Sequence, residues 1–406
     1  MRVMMTYSTP QVQAAPPAGA IPITCDIFCN VIDNYGDIGV AWRLARQLAD
    51  ELPLVVRLWV DELASFAKIC PVADAGLVQQ TCCGVEVRHW GEDFSAVLAA
   101  DLVIDAFGCK LPEAYLAAMA ARKPPPVWIN LEYLSAEQWV EGCHRLPSPR
   151  PPLTRYFFFP GFTRRTGGLL LEHDLLARRD AFWADTTQQQ RFWRSVGLEV
   201  PDAGALKVSL FGYENDALAG LFEVWQRGAQ PVLCLVPEGR ILPQVGRHFG
   251  DDASQAGKRY RRGNLEVCVL PFVRQQDYDA LLWACDVNFV RGEDSCVRAQ
   301  WAGKPFVWQI YPQDDGVHWQ KLQAFLDHYS ASLSPAAAQA VQGLWQAWNG
   351  GGGAGAAWPA FDAACGEVGQ RSLDWAQELS ANNLALNLLD FFGEVGRMRA
   401  FKIEGQ

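Results

Sequence analysis

The sequence predicts an α/β protein with two Rossmann-like domains in succession, facing each other across a cleft as a two-domain clamp, and a C-terminal helix crossing back to the first domain. Three observations lead there. Short apolar runs alternate with stretches of helical periodicity along most of the chain, the pattern of parallel sheets built from βαβ units. The alternation restarts near residue 205, after a break rich in proline and arginine. Each half also opens on a strand that turns sharply into a helix, TCDIFCNVIDNYGDIGVAWRLARQL at 24–48 and SLFGYENDALAGLFEVW at 209–225.

In the first unit the run 27–32 is apolar except for Asn30, and Asp33-Asn34-Tyr35-Gly36-Asp37 forms the turn. Val40, Leu44, Ala45 and Leu48 then recur at helical spacing. Further strands are expected at 53–60, 85–89, 102–107 and 127–131, with helices at 61–70, 94–100 and 111–122, the last ended by the prolines at 124–126. Residues 21–165 are read as the first domain and 166–204 as a linker. Within 147–168, Tyr156-Phe157-Phe158-Phe159-Pro160-Gly161-Phe162 is either an interdomain crossing or a lining of the cleft. The second domain, 205–370, carries expected strands at 207–211, 232–236, 265–270, 286–290 and 305–310, and a glycine-rich loop at 349–357. A long final helix is expected over 372–392, within a terminal segment 371–406.

The bulk properties narrow the function. At 406 residues, half of them hydrophobic, the chain is long enough for two cores. A formal net charge of −10 argues against a nucleic-acid or anionic-membrane partner. The basic run Lys258-Arg259-Tyr260-Arg261-Arg262 is short and reads as a solvated loop. Of twelve cysteines, Cys25, Cys29, Cys234, Cys268 and Cys285 fall inside strand-like runs, as small hydrophobes do. No CxxC pair exists, so reduced thiols and a cytoplasmic protein are expected. Residues 1–20, rich in Pro, Ala and Gln, read as a disordered leader without the apolar centre of a signal peptide.

Two turns carry the polar chemistry. The first places Asp33 and Asp37 where a nucleotide-binding turn would offer bare amides, and carboxylates there would repel phosphate. They suit catalysis or a cationic substrate; the alternative is that both are turn formers or caps. The second is VRGEDSCVRAQWAG at 290–303, a strand end running into a helix expected to begin near Ser295, with Asp294 or Ser295 as its cap. Arg291 and the amides of that helix would hold a diphosphate, with Glu293 beside the attached sugar. An ordinary cap with a salt bridge is the competing reading. Upstream, 270–278 (LPFVRQQDY) offers Phe272, Tyr278 and Gln275 for stacking on and reading a pyrimidine base, or as core. None of the six histidines suggests a metal or nucleophilic arrangement. The two-domain plan occurs in GT-B glycosyltransferases, in some periplasmic binding proteins and in epimerases. An oxidoreductase is disfavoured because neither domain opens with GxGxxG.

With both turns in view, DNYGDIGVAWRLARQL, INLEYLSAEQW (129–139), FFPGFT (158–163), RGEDSCVRAQWAGKPFVWQIYPQ (291–313) and the terminal LALNLLDFF resemble the bacterial protein-arginine rhamnosyltransferase family, EarP. The resemblance spans roughly residues 24–395. It implies a GT-B enzyme moving L-rhamnose from dTDP-β-L-rhamnose to an arginine of translation elongation factor P, with inversion and without a metal or other cofactor. The modified factor would rescue ribosomes stalled at polyproline. By motif, Asp33, Asp37 and Glu293 match the family's catalytic carboxylates. Tyr213, Gln275, Tyr278, Arg291, Asp294 and Ser295 match positions holding the dTDP part, and Phe272, Asn34 and Tyr35 are expected to join them in binding the donor. Tyr35 stands where the family often has Phe, and the glycine-rich stretch 349–356 departs from its pattern. A GT-B enzyme with a different acceptor, or a non-catalytic nucleotide-sugar binder, are the other readings.

Overall fold

The computed structural model describes residues 22–404 apart from 32–34, 92–93, 95–96 and 314. The expected leader therefore lies outside the described residues, as do Asp33 and Asn34. The first sheet contains β1 (Ile23–Cys29), β2 (Leu54–Val60), β3 (Gln79–Cys82), β4 (Val85–His89), β5 (Leu102–Ala106), β6 (Val127–Leu131), β7 (Pro147–Arg150) and β8 (Leu153–Phe158). The second contains β9 (Leu206–Leu210), β10 (Val232–Pro237), β11 (Arg259–Arg262), β12 (Leu265–Leu270), β13 (Val287–Arg291) and β14 (Phe306–Gln309). Helices α1 (Gly36–Glu51), α2 (Leu63–Ile69), α3 (Glu113–Ala121) and α4 (Trp139–Cys143) accompany the first sheet, and α5 (Leu175–Ala184) and α6 (Thr186–Ser195) follow it. Then come α7 (Ala217–Arg227), α8 (Leu242–Phe249), α9 (Gln275–Ala284), α10 (Gly292–Ala302), α11 (Val317–Ser330), α12 (Pro335–Asn349), α13 (Ala354–Ser380) and α14 (Leu384–Glu404).

Strand order is β3-β4-β2-β1-β5-β6-β8-β7 in the first sheet and β11-β12-β10-β9-β13-β14 in the second. All neighbours are parallel except the edge pairs β3–β4, β7–β8 and β11–β12. The order reverses between β1 and β5, and again between β9 and β13. In open α/β sheets ligands bind beyond the carboxyl ends of strands at such points, so both polar turns sit where the topology places a site. Two Rossmann-like sheets, each with its own crevice, are the GT-B arrangement.

Covered faces explain the unbroken apolar runs. On β1, Cys25, Ile27 and Cys29 pack into the core shared with α1, while Phe28 faces a second cluster with Trp59, Phe94 and Tyr115. Asp26, fully buried on that second face, is gripped by Arg57 at 2.5 and 2.6 Å and accepts from the Tyr115 hydroxyl. The segment read as a linker contributes Leu175, Phe182, Phe192 and Trp193 to the core of the second sheet. Leu384, Ala385, Leu388, Phe391 and Val395 of α14 join the core of the first, so the C-terminal helix does cross back.

Several expected elements differ. The basic run is not a loop but holds the edge strand β11; charge on an edge strand discourages pairing with other chains and hides the strand from a hydrophobic reading. The 147–168 region folds back as the β7–β8 hairpin at the sheet edge. Among the described residues of 94–100 there is no helix. The glycine-rich loop shortens, because α13 already begins at Ala354. The long terminal helix is broken at 381–383, where the Leu169 amide donates to the Asn382 carbonyl at 3.2 Å and the Leu384 amide donates to the Leu169 carbonyl at 2.9 Å. There Gly168, at φ +78°, leaves no room for a side chain: a Cβ would lie 2.1 Å from the Asn382 carbonyl oxygen. Gly197 has nearly the same φ, +75°, with nothing within 4 Å of its Cβ position.

Comparing Gly168→Ala with Gly197→Ala separates the steric clash from the backbone strain. The first is expected to cost about 2 kcal/mol more than the second, seen as a melting point lower by about 2 °C in thermal unfolding.

Candidate active site

At the second switch point β13 ends at Arg291, and Gly292 turns the chain into α10 at φ +63°. The helix thus starts three residues before the expected Ser295. A glycine with left-handed φ makes the sharp turn possible without a side-chain cap. Ser295 instead stitches the turn, its hydroxyl accepting from the Arg291 amide at 3.0 Å and donating to the Arg291 carbonyl. Trp308 adds a hydrogen bond to the Gly292 carbonyl at 2.8 Å.

A cavity of about 740 Å³ opens at this turn. It is lined from the second sheet's side by Tyr213, Phe272, Gln275, Tyr278, Arg291, Glu293, Asp294 and Ser295, and from the first by Tyr35. Tyr35 meets Phe272 edge to face at 5.6 Å between centroids. The Arg291 guanidinium lies 4.5 Å from the ring centres of both Phe211 and Tyr213, contacts that hold a cation by its attraction to aromatic faces. Its buried Nε has no partner among the described residues. Gln275 donates through Nε2 to the Gly39 carbonyl at 2.8 Å and to Asp294 Oδ2 at 3.1 Å. Both partners are acceptors, which fixes the amide orientation and leaves Oε1 as a buried acceptor without a partner.

A second cavity, about 900 Å³, adjoins the first. Gly36, Tyr213, Gly292 and Glu293 line both. The second is otherwise walled by Asp37, Phe107, Tyr133, Leu134, Tyr311 and Lys321, among others. Asp37, only 6 % exposed, sits in the first turn of α1, whose positive end favours a carboxylate. The Tyr133 hydroxyl lies 3.4 Å from Asp37 Oδ1. Tyr133 stacks on Phe107 at 4.5 Å, and Phe107 has a left-handed backbone at φ +59°. That is a strained conformation for an aromatic residue, and it sits in the wall of a cavity. Glu293 Oε2 accepts from the Leu134 amide at 3.1 Å. Burial pushes the Glu293 carboxyl up to about 8, with Asp37 adding repulsion and the Leu134 amide and Lys321 only partly opposing. A carboxyl with a pKa of about 8 is largely protonated at pH 7.

The structure brings Tyr35, Asp37, Tyr213, Phe272, Gln275, Tyr278, Arg291, Glu293, Asp294 and Ser295 into one bipartite cleft. Tyr133, Phe107, Phe211, Tyr311 and Lys321 escaped the sequence reading. Tyr133 and Tyr311 lie inside the motifs at 129–139 and 291–313, the available signal; the others look like strand-end core or surface charge until the fold gathers them. Among the described residues, no group of three or more His, Cys, Asp or Glu is placed to hold a metal ion, and no helix is long and apolar enough to cross a membrane.

The family model described as "Elongation-Factor P (EF-P) rhamnosyltransferase EarP" matches residues 25–393. The chain belongs to the EarP family. Among EarP relatives, the protein-arginine rhamnosyltransferase of Pseudomonas putida is 52% identical over 371 residues, covering 91% of this chain and 98% of that one. That of Pseudomonas aeruginosa is 50% identical over the same length and shares. A solved EarP structure, described as "Structural basis for EarP-mediated arginine glycosylation of translation elongation factor EF-P", aligns with a TM-score of 0.67 at 38% identity, covering 91% of this chain and 99% of that one. EarP membership makes the chain a glycosyltransferase, in keeping with its GT-B arrangement.

The raised Glu293 pKa has a consequence for stability. The folded state keeps the proton that the unfolded chain releases near 4.5, so Glu293 loses its favourable contribution as pH rises from about 4.5 through about 8. Glu293→Gln, neutral throughout, is expected to melt several degrees above the parent at pH 9 and level with it below pH 4.5. Melting curves across that range check it; equal melting points at pH 9 would rule out the buried, uncompensated carboxylate.

Proposed function

We propose that this EarP member transfers L-rhamnose from dTDP-β-L-rhamnose to an arginine side chain of elongation factor P, inverting the anomeric centre. The observation that carries the reading is the pair of cavities meeting at Gly292 and Glu293, one with Arg291, the other with Asp37. Rhamnose at that junction would have its diphosphate on one side and the acceptor on the other, the geometry for in-line displacement.

The residues have chemically distinct tasks in this reading. Arg291 and the start of α10 neutralise the diphosphate, so no metal is required. The vacant Gln275 Oε1 accepts from the imide N–H of thymine, with Phe272 and Tyr278 flanking the base. In the second cavity, Asp37 takes the guanidinium, Tyr133 and Phe107 wall it in, and Asp33 would help orient it from outside the described residues. A guanidinium is protonated below about pH 12 and is a poor nucleophile. Asp37 accepts its proton as the new C–N bond forms and the bond from the anomeric carbon to the diphosphate oxygen breaks. Glu293 hydrogen-bonds the sugar while neutral; as the cation arrives it releases its proton to solvent, and the carboxylate then stabilises positive charge at the anomeric carbon. The modified factor would then act at ribosomes stalled on polyproline. The family description and the relatives' names support this acceptor and sugar.

Intact-mass spectrometry of elongation factor P after incubation with the protein and dTDP-β-L-rhamnose, without added metal, tests the whole reading. A gain of one deoxyhexose on a single arginine is expected; no gain, with the donor bound and unconsumed, would point to another acceptor. Asp37→Asn is expected to slow transfer by about 100-fold or more while calorimetric dTDP affinity stays unchanged. A variant turning over at the parent rate would remove Asp37 from the base role.

A further inference from the structure

Asp294 matches a donor-binding position, yet its carboxylate is held by Arg43 and Gln275. Arg43 of α1 grips it in a fork, Nε to Oδ1 at 2.7 Å and Nη2 to Oδ2 at 3.1 Å, and Gln275 adds a third bond. A free carboxylate would in any case repel a diphosphate. Arg43 is 1 % exposed, and its remaining nitrogen Nη1 binds Glu172 at 3.0 Å. Glu172 in turn binds Arg298 of α10 at 2.6 Å, and Asp279 of α9 grips Arg298 twice at 2.7 Å. Asp294, Arg43, Glu172, Arg298 and Asp279 thus form a continuous chain of alternating charge. It ties α1 of the first sheet to α9 and α10 of the second.

The chain's ends matter because of their neighbours. Asp294 directly follows Glu293, and Arg43 lies six residues beyond Asp37 on the same helix. The Gln275–Gly39 hydrogen bond adds a second tie between α1 and α9. Burial opposes the charges on Arg43, Asp294 and Glu172. Their partners nonetheless outweigh it, holding Arg43 above its ordinary range and the two acids below theirs. Buried ion pairs add little net stability over apolar packing of the same shape, and in some proteins they are kept because they specify geometry.

We propose that the Arg43–Asp294 pair is an interdomain clamp that positions Asp37 against Glu293, making Arg43 and Asp294 positioning residues for the transfer. The inference rests on the roles proposed above for Asp37 and Glu293. It moves Asp294 from nucleotide contact to alignment of the catalytic groups.

The test compares Asp294→Asn, Arg43→Met, Arg43→Lys and the double variant Arg43→Met/Asp294→Asn. Transfer to elongation factor P is followed by intact mass, and dTDP affinity by calorimetry. Misplacing a catalytic group by about 1 Å can cost about 100-fold. Asp294→Asn is therefore expected to lower kcat about 10- to 100-fold and to leave dTDP affinity within about twofold. Adding Arg43→Met should cost little more, because one clamp is already broken, and Arg43→Lys should recover part of the Arg43→Met loss. A tenfold loss of dTDP affinity with kcat intact would make Asp294 a donor contact and overturn the proposal. Unchanged kcat and affinity, or losses that multiply in the double variant, would overturn it as well. Should Arg43→Met not fold, Asp294→Asn alone decides through its split between kcat and affinity. A parent that transfers no deoxyhexose would instead overturn the reaction proposed above.

Discussion

The cleft depends on one contact, the seating of α1 against α10. Each helix starts at the switch point of its own sheet, and each carries a carboxylate in its first turn, Asp37 on one and Glu293 on the other. The sheets are separate units, so strand pairing cannot set the distance between those carboxylates. Interface side chains must do it. Arg43, Gln275 and Glu172 supply the polar ties there. Farther off, the two chain crossings at 167–171 and 381–387 are bound to each other through Leu169, Leu384 and the Asn387–Gly167 hydrogen bond. The α14 residues packed into the first core complete the connection.

How far the sequence can be read follows from the same physics. Central strands were legible because burial on both faces favours apolar runs, and β5, β6 and β10 begin where those runs begin. The edge strands β7 and β11 were not: they are short, charged or proline-containing, and owe their conformation to one neighbour. The site was legible where polar residues collect at a strand end, as at Arg291–Ser295. It was illegible at Arg43, Glu172 and Arg298. A charged residue on a helix face reads as solvent-exposed unless its partner is known, and Arg43 meets Asp294 only through the tertiary fold. The motif containing Arg43 was recognised as a whole, while its acidic turn drew the functional reading.

Both halves use the same strand-turn-helix unit, with opposite electrostatic results. A helix start attracts anions, so α1 left bare would compete with α10 for an anion. Asp37 in its first turn cancels that attraction and leaves the first half suited to a cation. The first turn of α10 also carries two acids, Glu293 and Asp294, and by composition ought to repel phosphate as well. Two features of the structure offset this: Arg43 neutralises Asp294, and burial pushes the Glu293 carboxyl up to about 8. Arg291 then remains the decisive charge at that turn. In the proposed reaction the cleft therefore suits the nucleotide sugar first. A guanidinium arriving afterwards beside Asp37 and Glu293 favours the ionised form of Glu293, so the negative charge at the junction increases once the diphosphate is already held by Arg291.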